Sequence, residues 1–131
     1  MSHRTAVHQF EHDQRAPGGA RRFIRSTLEE WGFDALSEVA ELLVSEVVTN
    51  AVGHAASGGE VVVTDSGSCL RVEVSDTGGG EVRQRSAEPE DVGGRGMAIV
   101  AALSSRWGVS TDLTATDQVV KTVWFEIDLS Q

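Results

Sequence analysis

A change in hydrophobic period divides this chain into helical and strand segments, and it limits the folds that the chain can adopt. Between Pro17 and His54, apolar residues recur at steps of three and four, which is typical of helices with one buried face. Between Glu60 and Asp76, apolar and polar residues alternate, which is typical of half-buried strands. A chain of 131 residues with this order is most simply one domain in which helices pack on a sheet.

The first segment predicts two helices. Pro17 introduces the first one, because proline fits the first helical turn, and Gly32 ends it. Ser37 is expected to cap the second helix, which runs to about His54. Each helix has one apolar face for burial in the core. Those faces consist of Ala20, Phe23, Ile24, Leu28 and Trp31 on the first helix and Ala40, Leu43, Val44, Val47 and Ala51 on the second.

Patterns typical of strands occur on both sides of a long irregular segment. Residues 1–15 are polar and poorly defined, although Val7 and Phe10 allow a short edge strand. A turn at residues 66–68 predicts a hairpin. The strands are expected at residues 60–65 and 70–76 for that hairpin, near 107–111, and at 119–129.

The irregular segment separates the hairpin from a third helix. Residues 79–93 carry glycines, charges and Pro89 without any period, so they predict a loop. The helix is expected at about residues 94–106. Its buried face would consist of Met97, Val100, Ala101 and Leu103.

The order helix, helix, hairpin, loop, helix, hairpin predicts an α+β fold. It is a two-layer α/β sandwich with a mostly antiparallel sheet and helices on one face. Residues 1–131 then form a single domain, since no repeat or linker interrupts the pattern. The tryptophans Trp31, Trp107 and Trp124 are interpreted as core anchors.

The charge and the cysteine content exclude several classes of partner. The formal net charge is −9, from 20 acidic and 11 basic residues. Such a field repels nucleic acid and anionic membranes, so neither is expected as a partner. A triphosphate would be repelled as well, so a nucleotide site here needs a divalent cation and local N–H donors. A single cysteine, Cys69, and the lack of an apolar leader indicate a reducing cytoplasm.

One carboxylate stands where an alternating strand runs into glycines. Asp76 is followed by Thr77 and then by Gly78, Gly79 and Gly80. A carboxylate only accepts hydrogen bonds, which suits the exocyclic amino group of adenine. Glycines allow a flat base to approach the backbone. The alternative interpretation is a strand end followed by a flexible glycine turn.

A second glycine cluster, residues 93–97, opens the third helix. The first turn of a helix presents unpaired N–H groups and a partial positive charge, which favour a phosphate. The cluster is not a Walker P-loop, because no Gly-Lys-Ser/Thr follows, and the sheet order does not fit a dinucleotide fingerprint. An ordinary glycine-rich helix start is the alternative.

Glu46 and Asn50 lie four residues apart, so their side chains project from neighbouring turns of the second helix. An amide oxygen is a hard ligand for Mg²⁺ that also binds phosphates and water. A carboxylate one turn earlier can orient or deprotonate an attacking hydroxyl. Such pairs are usually solvated surface, but Asn50 lies beside apolar residues, where an amide without a partner is disfavoured.

Residues 45–55, 76–80 and 94–97 together resemble the N, G1 and G2 boxes of the GHKL ATPases, which have the Bergerat fold. The resemblance extends to Arg22 and Phe23 and to residues 121–125. It is strongest to a branch of small bacterial ATP-binding regulators, the anti-sigma-factor serine kinases. Three ordered boxes in the expected context are more specific than any one of them.

The resemblance implies a role for each matching residue. Asn50 would hold Mg²⁺ and Glu46 would be the general base. Asp76 would bind the adenine amine, with Gly78 and Gly80 shaping the pocket. These assignments imply ATP and Mg²⁺ as cofactors.

The other assignments concern the phosphates and the edge of the base pocket. A lid would span about residues 80–92, and Thr122 would help to position a water or hydroxyl network near adenine. Alternation alone leaves open which face of the last strand meets the helices. The phosphate-binding turn would consist of Gly94, Arg95, Gly96 and Met97.

The resemblance implies a cytoplasmic serine/threonine-protein kinase that acts as an anti-sigma factor. It would phosphorylate a serine on a small antagonist protein and would bind a sigma factor in the alternate complex. A homodimer is expected, because active members of the family are dimers. A non-catalytic, nucleotide-gated protein-binding module is the alternative. A detached histidine-kinase domain is less favoured, because the chain has no helical hairpin with a phospho-accepting histidine.

Overall fold

The computed structural model describes residues 3–54, 58–76, 94–113, 115 and 119–129. These residues form a five-stranded sheet, three α-helices and a short 3₁₀ turn. In chain order the elements are β1 (Arg4–Phe10), α1 (Ala16–Trp31), the 3₁₀ turn (Asp34–Leu36), α2 (Ser37–His54), β2 (Gly59–Asp65), β3 (Cys69–Asp76), α3 (Gly94–Leu103), β4 (Arg106–Leu113) and β5 (Val119–Asp128).

The sheet has the strand order β1-β2-β3-β5-β4, and every neighbouring pair is antiparallel. The last strand, β5, therefore lies between β3 and β4, while the edge strand β1 pairs with β2 although two helices separate them in the sequence. All three helices pack on one face of the sheet. The predicted α+β fold, with an antiparallel sheet and helices on one face, is confirmed.

The core lies between the helices and one face of the sheet. Strand alternation sends every second side chain toward the helices, and these side chains are almost completely buried. From β2, β3 and β5 they are Val61, Val63, Leu70, Val72, Val74, Val123, Phe125 and Ile127, and they meet Ala20, Ile24, Leu28, Ala40, Leu43, Val44, Val47, Val48 and Val100 of the helices.

The first helix ends where the sequence indicates. Gly32 adopts φ = 83°, the left-handed conformation that glycine adopts without a steric penalty. Its N–H donates to the carbonyl groups of Leu28 and Glu29, so the orphan acceptors of the last turn are satisfied. Pro17 lies in the first turn, as expected.

The polar N-terminal segment forms a complete edge strand. β1 pairs with β2 over seven residues, from Arg4 opposite Asp65 to Phe10 opposite Gly59. Phe10 is buried in the core, whereas Val7 is 53% exposed on the outer side. The edge strand suggested by these two residues is confirmed.

Two details of the C-terminal half differ from the sequence-based prediction. The third helix ends at Leu103 rather than near Arg106, and both Ala101 and Leu103 are exposed instead of buried. Trp107 is 40% exposed and Trp124 lies on the outer face of the sheet under Arg71, so neither is a core anchor. For Trp107 the reason is that β4 is an edge strand, so its side chains extend past the part of the sheet that the helices cover.

A partly buried ion pair between Arg4 and Asp65 joins β1 to the end of β2. Asp65 is only 5% exposed, and its Oδ2 accepts a hydrogen bond from the Arg4 guanidinium at 2.8 Å. The same guanidinium lies over the rings of Trp31 and Phe33. Burial by itself raises the pKa of the Asp65 carboxyl, but hydrogen bonds from Arg4 and from the Gly67 N–H outweigh it, so the net pKa is lowered.

We expect Arg4→Ala to lower the free energy of unfolding by about 1–3 kcal/mol at pH 7, because it leaves a buried carboxylate without its charged donor. A carboxyl group with a lowered folded-state pKa stabilises the protein above its unfolded pKa, and that contribution is lost as pH falls through the folded value. The difference from wild type should therefore shrink below about pH 4. Urea denaturation across pH measures it.

Arg106→Ala is the matched control, because Arg106 makes comparable ion pairs with Glu126 and Asp128 at the exposed edge of the sheet. In this variant Glu126 keeps its ion pair with Arg71, and Asp128 is 52% exposed, so the variant should resemble wild type. Equal stability of the two variants at pH 7 would contradict a structural role for the Arg4–Asp65 pair.

Candidate functional site

The C-terminal half of α2 and the end of β3 lie at the same end of the sheet. α2 ends at His54, and β2 begins at Gly59, which is paired with Asp76 at the end of β3. The turn after β1 reaches this end as well, since Nε2 of His12 lies 2.7 Å from the carbonyl oxygen of Val52. The chain path thus brings the candidate residues of α2 and β3 to one edge of the core.

Asp76 is a buried carboxylate on the helix-facing side of the sheet. It follows Val72 and Val74 in the alternation of β3 and is 8% exposed. Beside it, Gly59 is in very close contact with the β3 backbone, because a methyl group on Gly59 would overlap the carbonyl oxygen of Ser75. Gly59 is not among the predicted site residues, although two adjacent glycines, 58 and 59, at the start of a strand are a signal of close backbone approach.

The strand register places Lys121, and not Thr122, next to Asp76. Directly opposed residues of an antiparallel pair share a face, and Asp76 is opposite Lys121. Thr122 is opposite Ser75, on the face that points away from the helices. The structure therefore does not bring Thr122 to the carboxylate, because β5 turns its odd-numbered side chains, such as Val123, toward the core.

Glu46 directs its carboxylate at the beginning of α3. A methyl group built on Gly96 would lie 2.7 Å from Oε1 of Glu46. Gly96 is the third residue of α3, so the carboxylate lies beside the first turn of that helix. The structure thus brings together Glu46 from the N box and Gly96 from the second glycine cluster, which are 50 positions apart in the sequence.

Asn50 has a buried amide oxygen without a hydrogen-bond partner among the described residues. It lies one turn after Glu46 on α2, next to the buried Val47. Burying an amide acceptor without a partner costs about 1–3 kcal/mol, so such an atom in a well-packed helix needs a reason. An oxygen of this kind suits a hard cation.

The residues present fit a Mg²⁺ ion that brings most of its own ligands. Within the described ranges, no three His, Cys, Asp or Glu side chains converge as a metal site. Mg²⁺ in nucleotide sites usually takes one or two protein ligands and completes its shell with phosphates and water. The Asn50 Oδ1 atom would supply such a single ligand.

Several predicted site residues cannot be placed in this group. Gly78, Gly80 and the predicted lid at residues 80–92 lie outside the described residues. Gly94 begins α3, and the side chain of Arg95 is outside the description. Met97 is partly buried and packs on the core.

An open groove between α1 and α2 shares no residue with this site. Its walls include Arg21, Arg25 and Leu42. Arg25 forms two hydrogen bonds with Glu41, and Arg21 donates to the Ser45 hydroxyl. These contacts join the two helices, and the groove contains no residue of the glycine clusters.

A family model described as the histidine kinase-like ATPase domain matches residues 10–124. The chain belongs to this family. The match covers the buried carboxylate, the paired residues of α2 and the glycine start of α3, and it confirms the predicted GHKL relationship. No curated protein matches the sequence.

Solved structures show the same fold at low sequence identity. A chain in the crystal structure of the SiaB–SiaC complex from Pseudomonas aeruginosa matches with a TM-score of 0.65 and 11% identity, over 93% of this domain and 89% of that chain. The histidine kinase AdeS of Acinetobacter baumannii matches with a TM-score of 0.50 and 13% identity, over 98% of this domain and 70% of that chain.

None of the helices in the described part of the chain combines the length and the apolar character that crossing a bilayer requires.

We expect Asn50→Ala to raise the free energy of unfolding of the nucleotide-free protein by about 0.5–1 kcal/mol, because it removes a buried acceptor without a partner and improves helix propensity. Thermal and urea unfolding without nucleotide would measure the change. Thr49→Ala, at the neighbouring exposed position, is the control. A loss of stability in Asn50→Ala would show that the amide has a structural role instead.

Proposed function

We propose that this domain binds ATP with Mg²⁺ between the end of β3, the C-terminal half of α2 and the beginning of α3. The observation that carries the proposal is the unpartnered Asn50 oxygen, together with the buried Asp76 carboxylate at the same end of the sheet. Membership of the histidine kinase-like ATPase family supports it. Each polar group then has a matching part of the nucleotide.

Asp76 would accept a hydrogen bond from the exocyclic amino group of adenine. The first turn of α3 would hold the phosphates, because backbone N–H groups and the helix dipole there favour an anion. Asn50 would hold Mg²⁺, which would neutralise phosphate charge and polarise the terminal phosphoryl group. The cation also offsets the net charge of −9, which by itself disfavours a triphosphate.

The further proposal is that the domain is a serine/threonine-protein kinase and an anti-sigma factor in the cytoplasm. Glu46 orients the substrate hydroxyl and accepts its proton as the oxygen attacks the γ-phosphorus, with ADP as the leaving group. The substrate is a serine of a small antagonist protein, and the alternate partner is a sigma factor. A neighbour of the same fold was crystallised in a complex of two proteins, which supports a protein-binding role.

The second candidate is a nucleotide-gated binding module that transfers no phosphate. The observation in its favour is that Glu46 contacts α3, so its carboxylate can report the position of that helix without taking part in chemistry. The two candidates share the ATP site and differ only in phosphate transfer.

We expect Asp76→Asn to weaken ATP binding by about 10- to 100-fold, because hydrogen bonds to charged groups contribute about 1.5–3 kcal/mol. Isothermal titration calorimetry with ATP, with and without Mg²⁺, measures this. Asp112→Asn on the exposed strand β4 is the control and should bind like wild type. No heat of association of wild-type protein with ATP under either condition would refute the site.

Glu46→Gln should still bind ATP, but its rate of phosphate transfer should fall by at least about 100-fold, since a positioned general base contributes at least that factor. The assay uses γ-labelled ATP, Mg²⁺ and candidate antagonist proteins, and it identifies the labelled serine. Glu38→Gln, at an exposed position of the same helix, is the control. Wild type that binds ATP tightly and labels no protein would favour the binding module.

A further inference from the structure

The missing side chain at Gly96 creates the space in which the Glu46 carboxylate lies. A methyl group on Gly96 would be 2.7 Å from Oε1 of Glu46, 3.5 Å from its Cβ and 3.7 Å from its Cδ. The three nearest atoms thus belong to one side chain on the facing helix. The Cβ position of Gly96 therefore faces α2. A phosphate-binding turn would instead use the backbone N–H groups at the start of α3.

A methyl group added at Gly96 would come too close to the end of the Glu46 side chain, which can rotate away. A carbon–oxygen separation of 2.7 Å is below van der Waals contact, so a side chain at position 96 would displace something. The nearest atom is the end of a glutamate, which can rotate, while the helices themselves are held by packing of Val47 and Val100 in the core. The added methyl group would therefore move the carboxylate and leave the fold intact.

We propose that Gly96 is a positioning residue, because its lack of a side chain leaves the space in which the Glu46 carboxylate takes the orientation that phosphate transfer requires. The proposal rests on the kinase function proposed above, and it gives Gly96 a different role from direct phosphate binding. It also connects the two functions of the site: the first turn of α3 faces the phosphates, and its third residue sets the position of the base one helix away.

The consequence for catalysis follows from geometry. A general base must lie within about 2.6–3.2 Å of the hydroxyl that it deprotonates. A displacement of about 1 Å can reduce a rate by about 100-fold. A methyl group at Gly96 would cause a displacement of this order without removing the carboxylate.

The test compares Gly96→Ala with Gly53→Ala. Gly53 is the matched control, because it is also a helical glycine and a methyl group there would meet no atom within 4 Å. We expect Gly96→Ala to reduce kcat for γ-phosphate turnover by about 10- to 100-fold, with the KM for ATP and the calorimetric affinity within about twofold of Gly53→Ala. A loss of ATP affinity of tenfold or more, with kcat unchanged, would assign Gly96 to phosphate binding and overturn the proposal.

A shorter acid at position 46 tests whether Gly96→Ala lowers kcat by displacing the carboxylate or by disturbing the fold. Glu46→Asp withdraws the carboxylate by one methylene group, so adding Gly96→Ala to Glu46→Asp should reduce kcat by less than about threefold, far below its effect in the wild-type background. An equal reduction in both backgrounds would show that the methyl group acts elsewhere, and it would refute the proposal.

A spectroscopic measurement distinguishes failure of this inference from failure of the kinase function. The ¹³C carboxyl resonance of Glu46, assigned by its loss in Glu46→Gln, should shift in Gly96→Ala and stay in place in Gly53→Ala. An unshifted resonance in Gly96→Ala overturns the contact even if wild type is an active kinase. A shifted resonance in Gly96→Ala, together with a wild-type protein that shows no turnover, confirms the contact but refutes the kinase function and with it the positioning role in phosphate transfer.

Discussion

α2 lies on the apolar face of the sheet with Val44, Val47 and Val48 fully buried, and this contact holds the candidate site together. Each such side chain contributes about 1.5–3 kcal/mol relative to an exposed one. The sum exceeds the cost of about 1–3 kcal/mol for the single unpartnered amide of Asn50. α2 can therefore tolerate the Asn50 amide at the margin of the core, although this amide does not stabilise the fold.

The same packing explains why polar site residues are found where the apolar layer ends. Asp76 continues the alternation of β3 and points toward the helices, but it is the last residue of the strand. The buried Val72 and Val74 precede it, so the apolar layer ends before Asp76. A carboxylate at an earlier helix-facing position of the strand would be buried among valines. At the strand end its side chain is 8% exposed and lies at the margin of the apolar layer, beside Gly59 of β2.

Ion pairs join the charged side chains on the outer face of the sheet. On the outer face, Arg71 and Arg106 both donate to Glu126, and the Arg71 guanidinium lies over the ring of Trp124. Hydrogen bonds from both arginines lower the pKa of the Glu126 carboxyl. These charges therefore neutralise one another on the face away from the helices, and the polar groups of the candidate site belong to the other face.

Sequence alone determined the order of elements and the fold class, and it indicated the candidate site residues of α2, β3 and α3, because each depends on local spacing or on a short motif. It could not place Thr122, because β5 is apolar on both faces and only pairing with β3 decides which face meets the helices. It also failed for Leu103 and Trp107, because burial there depends on how far the helix layer extends across the sheet. The contact between Glu46 and Gly96 was decided by tertiary structure alone, since only packing brings a turn of α2 against the start of α3.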